Sequence, residues 1–141
     1  MRFWDSSALV PLLVLEKETA RIRELYRENE DVLVWWTTGV ECASAVARLE
    51  RDQALAAEDA TRSLHRLAVL AASWHTIEPT ESVRDTAQRL LRVHDLRAAD
   101  ALQLAAAVLA AEGSPRTLPF VCLDRRLGIA AQREGFPLEG D

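Results

Sequence analysis

Residues 32–36, with the sequence VLVWW, form the clearest strand pattern in this chain of 141 residues. Branched and aromatic side chains follow one another without a polar break, directly after a polar cluster at residues 28–31. An uninterrupted apolar run of this length is typical of a strand covered on both faces, as strands of parallel sheets are. Parallel neighbours need helical crossovers, so the run predicts an α/β domain with a mostly parallel central sheet flanked by helices.

Apolar patterns on both sides of this strand supply the crossovers. Further strands are predicted at residues 2–4, 76–79 and 120–123. Helical spacing of apolar residues predicts helices at residues 8–15, 18–28, 40–51, 58–74, 81–93, 98–111 and 125–133. Thr80 is placed to cap the fifth helix, Pro11 is expected in the first turn of the first, and Gly135 is expected to end the last. No repeat or linker interrupts this order, so residues 1–141 are expected to form one domain.

The composition fits one soluble domain without a disulfide or structural metal. Apolar residues make up 49% of the chain, enough for a real core. Cys42 and Cys122 lie far apart and form no Cys-x-x-Cys pair, so a reducing, cytoplasmic setting is expected. The apolar stretch at residues 8–15 is too short to span a bilayer and is followed by no cleavage site. It is expected to belong to the core, and no membrane association is expected.

The charge balance argues against a broad basic surface for nucleic acid, because 22 acidic residues face 17 basic ones and the formal net charge is -5. Four acids form a special set if they bind cations. Without them 18 acidic residues remain against 17 basic ones. The acidic total therefore does not exclude an RNA substrate.

The four acids stand where predicted strands end or helices begin; they are Asp5, Glu41, Asp100 and Asp124. Strands of a parallel sheet bring their carboxyl ends to one edge, so these side chains are expected to converge. Each acid also has an ordinary interpretation as a helix cap, and Thr38-x-x-Glu41 matches a capping box. Taken singly, the four residues leave both interpretations open.

Asp100 is the most informative of the four. It is the only charged residue between Arg97 and Glu112, in a helix rich in alanine and leucine. An ionised carboxylate in such surroundings needs a partner, which is either a metal ion or Arg97. Several carboxylates without nitrogen or sulfur ligands suit Mg²⁺ or Mn²⁺, and such sites hydrolyse phosphodiesters. The three histidines show no ligand spacing; they are His65, His75 and His94.

Three motifs resemble the PIN-domain family, and within it the VapC-type toxins of type II toxin-antitoxin systems. They are DSSAL at residues 5–9, RAADALQLA at residues 97–105 and LDRRL at residues 123–127, together with Glu41 at a helix start. The resemblance covers about residues 2–137. It implies an endoribonuclease that cleaves RNA with Mg²⁺ or Mn²⁺, forms a homodimer and is held inactive by a cognate antitoxin protein.

The resemblance also implies roles for single residues. Asp5, Glu41, Asp100 and Asp124 are implied as catalytic metal ligands, and Ser7 matches a hydroxyl residue that orients the first aspartate. The family often has threonine or serine two residues before the last aspartate. Cys122 stands there in this chain, a departure that leaves the support of Asp124 open. Both cysteines are expected to be buried structural thiols.

Arginines and tryptophans near these motifs have open roles. The arginines beside the acids either hold RNA phosphates or neutralise the empty pocket; they are Arg97, Arg125 and Arg126. Trp35 and Trp36 point to opposite faces if both lie on a strand. Packing in the core is favoured for both over stacking on an RNA base.

Other functions remain as alternatives. A phosphatase with an aspartyl nucleophile would use a lysine, but the only lysine is Lys17, in a predicted surface helix, and Ser7 stands where a second aspartate would be expected. A non-catalytic α/β binding domain predicts a missing acid, and none of the four is missing. A PIN-domain ribonuclease of RNA processing, outside a toxin system, is the closer alternative, and an antitoxin gene alongside would separate the two.

Overall fold

Five parallel strands form the central sheet of the computed structural model, which describes residues 1–141. They are β1 (Arg2–Trp4), β2 (Val32–Trp35), β3 (His75–Ile77), β4 (Phe120–Val121) and β5 (Leu138–Glu139). Their order in the sheet is β3-β2-β1-β4-β5, and every neighbouring pair is parallel. The predicted parallel α/β architecture is confirmed, and β1 lies at its centre.

Seven helices cover the sheet. They are α1 (Ser6–Leu13), α2 (Thr19–Glu28), α3 (Thr38–Arg51), α4 (Ala57–Ala71), α5 (Glu81–Val93), α6 (Ala98–Ala110) and α7 (Arg125–Arg133). The first four pack in one hydrophobic layer, and the last three pack in the other. A short 3-10 turn, Pro115–Thr117, leads into β4. None of the helices combines the length and apolar character needed to cross a lipid bilayer.

β2 shows why its sequence is apolar at every position. Val32 and Val34 pack in the layer of α1 to α4, whereas Leu33 and Trp35 pack in the layer of α5 to α7. Side chains of a strand alternate between the two faces of a sheet, and both faces are covered here. All four residues of β2 are therefore buried.

The strand at residues 32–36 is one residue shorter than predicted, and this changes the position of Trp36. The chain turns after Trp35, so Trp36 lies outside the sheet with 57% of its surface exposed. The expectation that it packs in the core was wrong. β4 likewise ends at Val121, and β5 was not predicted, because two residues without an apolar pattern give no strand signal.

Two end signals act as predicted and one does not. The Thr80 hydroxyl accepts a hydrogen bond from the Val83 amide at the start of α5. Gly135 has a φ of 98°, a conformation that suits glycine, directly after α7. Pro11 lies in the second turn of α1, not in the first, because the helix begins at Ser6. A proline there removes one helical hydrogen bond, and α1 ends two residues later.

Candidate active site

The four predicted acids meet at the carboxyl edge of the sheet. Asp5 directly follows β1, Asp124 follows β4, and Glu41 lies in the first turn of the helix after β2. Since β1 lies between β2 and β4, these three elements end side by side. Asp100 joins them from the first turn of α6, where burial, followed by the charges of Asp124 and Asp5, raises its pKa. The structure thus brings all four carboxylates together.

Asp5 is the most buried of the four, with 3% of its surface exposed. Its carboxylate accepts a hydrogen bond of 3.0 Å from the Ser7 amide and thereby caps α1. Burial raises the pKa of Asp5, and hydrogen bonds from Ser7 oppose that rise. The cap and a functional role are therefore compatible, because the cap uses one oxygen of the carboxylate.

Glu41 is held by one side chain from the preceding helical turn and by one from a distant helix. Gln103 Nε2 donates to Glu41 Oε2 at 2.8 Å, and the Thr37 hydroxyl donates to the same oxygen at 3.0 Å. The capping box at Thr38 does not form, because the Thr38 hydroxyl bonds Gln103 instead. Burial raises the pKa of Glu41, and the charge of Asp5 adds to the effect. Glu41 is thus a positioned, partly buried carboxylate and not a helix cap.

Asp100 has no hydrogen bond or ion pair with any side chain. Of the two partners left open by the sequence, Arg97 forms no ion pair with Asp100, although Arg97 and Arg126 lie near enough to oppose the rise in the pKa of Asp100. Burial is the largest cause of that rise, followed by the charges of Asp124 and Asp5. Asp100 therefore carries a charge that nothing in the chain compensates fully.

Asp124 caps α7, where it accepts a hydrogen bond of 2.8 Å from the Leu127 amide. The Ser7 hydroxyl supports the loop that leads to it. It accepts hydrogen bonds from the amides of Leu123 at 2.9 Å and Asp124 at 3.2 Å. Ser7 consequently orients Asp5 through its amide and fixes the loop of Asp124 through its hydroxyl.

The Cys122 thiol lies between two of the acids. Its Sγ is 3.3 Å from the carbonyl oxygen of Asp124 and 3.7 Å from Asp5 Oδ2. Burial raises the pKa of both cysteines, that of Cys42 to about 12, so both thiols stay protonated at neutral pH. A protonated thiol is a weak donor. Cys122 therefore takes the place of a hydroxyl with a weaker hydrogen bond to Asp5.

Two grooves meet at Asp100. One, of about 500 Å³, contains Asp124 and the three arginines predicted beside the acids, namely Arg97, Arg125 and Arg126. The other, of about 350 Å³, contains Glu41, two serines of α1 and Arg48. Basic side chains thus stand on both sides of an acidic centre.

Two residues of this site were missed in the sequence. Arg48 lies seven residues after Glu41, which is two helical turns, so helical spacing contained the signal. Gln103 is fully buried and is the only strongly polar side chain after Asp100 in α6. A buried amide in an apolar helix indicates a partner.

The histidines lie elsewhere, as expected. His75 Nε2 lies 2.8 Å from Asp31, and His94 Nε2 lies 2.7 Å from Glu134. No three side chains of His, Cys, Asp or Glu are arranged to hold one metal ion by themselves. The donor chemistry nevertheless fits Mg²⁺ or Mn²⁺, because these ions are bound through one or two carboxylates and keep coordinated water.

Replacing Gln103 by leucine is expected to lower the free energy of unfolding by about 1–3 kcal/mol. The change leaves the Thr38 hydroxyl and Glu41 without their buried donor and raises the pKa of Glu41 further, since the Gln103 hydrogen bond lowers it. Urea denaturation measures the loss. Gln88→Leu, at an exposed position of α5, is the matched control. Equal stabilities of the two variants would contradict the assignment.

Comparison with known proteins places these features in a family. The family model described as PIN domain matches residues 2–116. Similar solved structures include a toxin-antitoxin complex from Klebsiella pneumoniae, with 14% identity over 88% of this chain and 87% of that chain and a TM-score of 0.62. PAE2754 from Pyrobaculum aerophilum has 22% identity over 97% and 87%, with a TM-score of 0.64. FitAcB from Neisseria gonorrhoeae has 18% identity over 98% and 96%, with a TM-score of 0.67. No curated protein sequence matches the chain.

Proposed function

This chain belongs to the PIN domain family, and we propose on that basis that it is an endoribonuclease that needs Mg²⁺ or Mn²⁺. The observation that carries the proposal is the convergence of Asp5, Glu41, Asp100 and Asp124, three of which have a raised pKa caused by burial and mutual repulsion. Carboxylates crowded in this way destabilise the fold unless a cation joins them.

Each acid has a distinct place in the proposed reaction. Asp5 is buried and fixed, so it would bind the ion directly, and Asp100 and Glu41 would hold the ion's coordinated water from the two sides of the groove. Asp124 is the most exposed and would contribute from the α7 side. The bound ion supplies charge stabilisation for phosphodiester hydrolysis and activates water.

Arginines on both sides of Asp100 would orient the substrate. Arg97, Arg125 and Arg126 line one groove and Arg48 lines the other, so phosphates on either side of the scissile bond each meet a guanidinium. Arginine suits this task because its planar group makes two parallel hydrogen bonds to a phosphate. The proposed substrate is therefore a single strand of RNA that crosses the site.

We further propose that the protein is the toxin of a toxin-antitoxin pair in the cytoplasm and forms a homodimer. Support comes from the DSSAL and RAADALQLA motifs and from the fold shared with a toxin-antitoxin complex of Klebsiella pneumoniae. The alternative is a PIN-domain ribonuclease of RNA processing. Copurification with the product of a small adjacent gene, which abolishes cleavage, is expected only for the toxin.

Cleavage of single-stranded RNA is expected with Mg²⁺ or Mn²⁺ and is expected to stop when EDTA removes the ion. The reason is that the four carboxylates would hold the ion that activates water, and neither groove contains a histidine or lysine that could activate its serines instead. Gel analysis of a labelled RNA measures cleavage with the ion and in EDTA. Calorimetric titration of the protein with Mn²⁺ measures binding of the ion. Undiminished cleavage in EDTA would exclude the proposal.

A further inference from the structure

A third cavity, of about 450 Å³, opens beside the acidic site. It is lined by the residues that follow α5 and by one face of α7, namely His94, Asp95, Arg125, Arg126, Ile129, Ala130 and Arg133. We call it the α7 pocket. Arg125 and Arg126 also line the groove of Asp100 and Asp124, so the pocket adjoins that groove along α7. A chain molecule lying in the groove can continue into the pocket.

The α7 pocket is basic although the protein as a whole is acidic. Three arginines face a single acid, Asp95, whose carboxylate is 89% exposed and 3.7 Å from Arg126 Nε. An exposed pair at that distance contributes little. Arg125 and Arg133 form no ion pair within the chain. The pocket therefore has cationic groups free for an anion.

The wall next to Arg133 contains a hydrogen bond between a histidine and a carboxylate. Glu134 follows Arg133 in the chain, and its carboxylate bonds His94 Nε2 at 2.7 Å. The His94 side chain is 5% exposed, and its Nδ1 is buried without a hydrogen-bond partner. His94 occupies one oxygen of the Glu134 carboxylate, and Arg133 forms no ion pair with Glu134. The Nδ1 atom of His94 is thus a polar group of this wall that has no hydrogen-bond partner.

Apolar side chains form the rest of the pocket. Ile129 is 40% exposed, whereas Ala130, which also lines the pocket, is only 2% exposed. Proteins bind single-stranded nucleic acids through cations that contact the phosphates and through aromatic or apolar side chains that pack against the bases. An acidic peptide would use the arginines but not the apolar floor.

We propose that the α7 pocket binds one phosphate and the adjoining base of the RNA strand that crosses the acidic site. The inference rests on the proposed ribonuclease function and extends it, because it assigns the RNA strand a path along α7 beyond the acidic site. Arg133 supplies the phosphate contact farthest from the acids, and Ile129 supplies the surface for the base. The substrate would then be longer than the nucleotides on either side of the scissile bond.

The test measures the affinity for a fluorescein-labelled ten-nucleotide RNA by fluorescence anisotropy. All variants carry Asp100→Asn, which prevents cleavage of the RNA during the measurement. Adding Arg133→Gln is expected to weaken binding about tenfold, the effect of one charge-assisted contact. It should also make the slope of log K against log salt shallower by about 0.7. Arg133→Lys is expected to restore most of the affinity, which a folding defect would not do.

Arg23→Gln is the matched control, because Arg23 is exposed on α2 in the opposite layer and lines none of these cavities. Equal affinities of Arg133→Gln and Arg23→Gln would overturn the assignment. The assignment would also be overturned if binding of a decaglutamate peptide depended on Arg133 and binding of the RNA did not. Cleavage by the unmodified protein with Mn²⁺ is measured separately, so failure of the pocket is distinguishable from failure of the ribonuclease proposal.

Discussion

Asp100→Asn is expected to lower RNA cleavage at least about a hundredfold while stabilising the metal-free protein. Cleavage falls because the site loses a ligand at the point where its two grooves meet. Stability rises because the ionised carboxylate has no partner and is repelled by Asp124 and Asp5. The amide has nearly the same shape and no charge. A gain of stability with a loss of activity is characteristic of a residue placed for function.

Thermal unfolding in EDTA and in Mn²⁺ measures the second part of this prediction. Without metal, Asp100→Asn should melt above the unmodified protein; with saturating Mn²⁺ the order should reverse, because bound ligand stabilises only a competent site. Asp85→Asn, at an exposed position of α5 without an ion pair, is the control and should change neither value. A lower melting temperature of Asp100→Asn in EDTA would show that the carboxylate is structural.

The pH dependence has a definite sign. A raised pKa means that the folded protein holds the proton of Asp100 more tightly than the unfolded chain does. The stabilisation that the folded protein gains from protonated Asp100 is therefore lost as the pH rises from 3.8 through the raised pKa. This stabilisation returns on acidification. The difference in stability between Asp100→Asn and the unmodified protein should thus be largest at neutral pH and vanish below pH 3.8.

Phe120→Ala is expected to lower the free energy of unfolding by about 3–5 kcal/mol, a large part of the total for a domain of this size. Phe120 is fully buried in β4, with its ring centre 5.1 Å from that of Phe3 and 5.7 Å from that of Phe136. Alanine would leave a cavity among these rings. It would also loosen β4, which leads the chain to Cys122 and Asp124, so Mn²⁺ affinity should fall as well.

Differential scanning calorimetry should record a fall in melting temperature of about 10–15 °C for this variant. Phe120→Leu is the graded comparison and should lose less than half as much, because most of the volume is kept. Val93→Ala, at a position 58% exposed, should be nearly neutral. Equal effects of Phe120→Ala and Val93→Ala would contradict the role of the aromatic cluster.

The amino-acid sequence alone determined the architecture and most of the elements. The apolar run at residues 32–36 and helical spacing elsewhere are local patterns, and local patterns follow from which faces an element must bury. Asp5 and Asp100 could likewise be identified from local sequence, since each lies in a distinctive motif. The shortest elements gave the least signal, so β5 was missed and the end of β2 was misplaced at Trp36.

Only the tertiary structure decided how the site is supported. Glu41 receives a hydrogen bond from Gln103, 62 residues away, and Cys122 reaches Asp5 across 117 residues. The capping box at Thr38 was a sound local prediction, but packing of α6 against β2 gave that hydroxyl a different partner. Spacing along a chain fixes neighbours within a few turns of a helix. Partners across the sheet depend on the register and packing of all the elements between them, which no local pattern encodes.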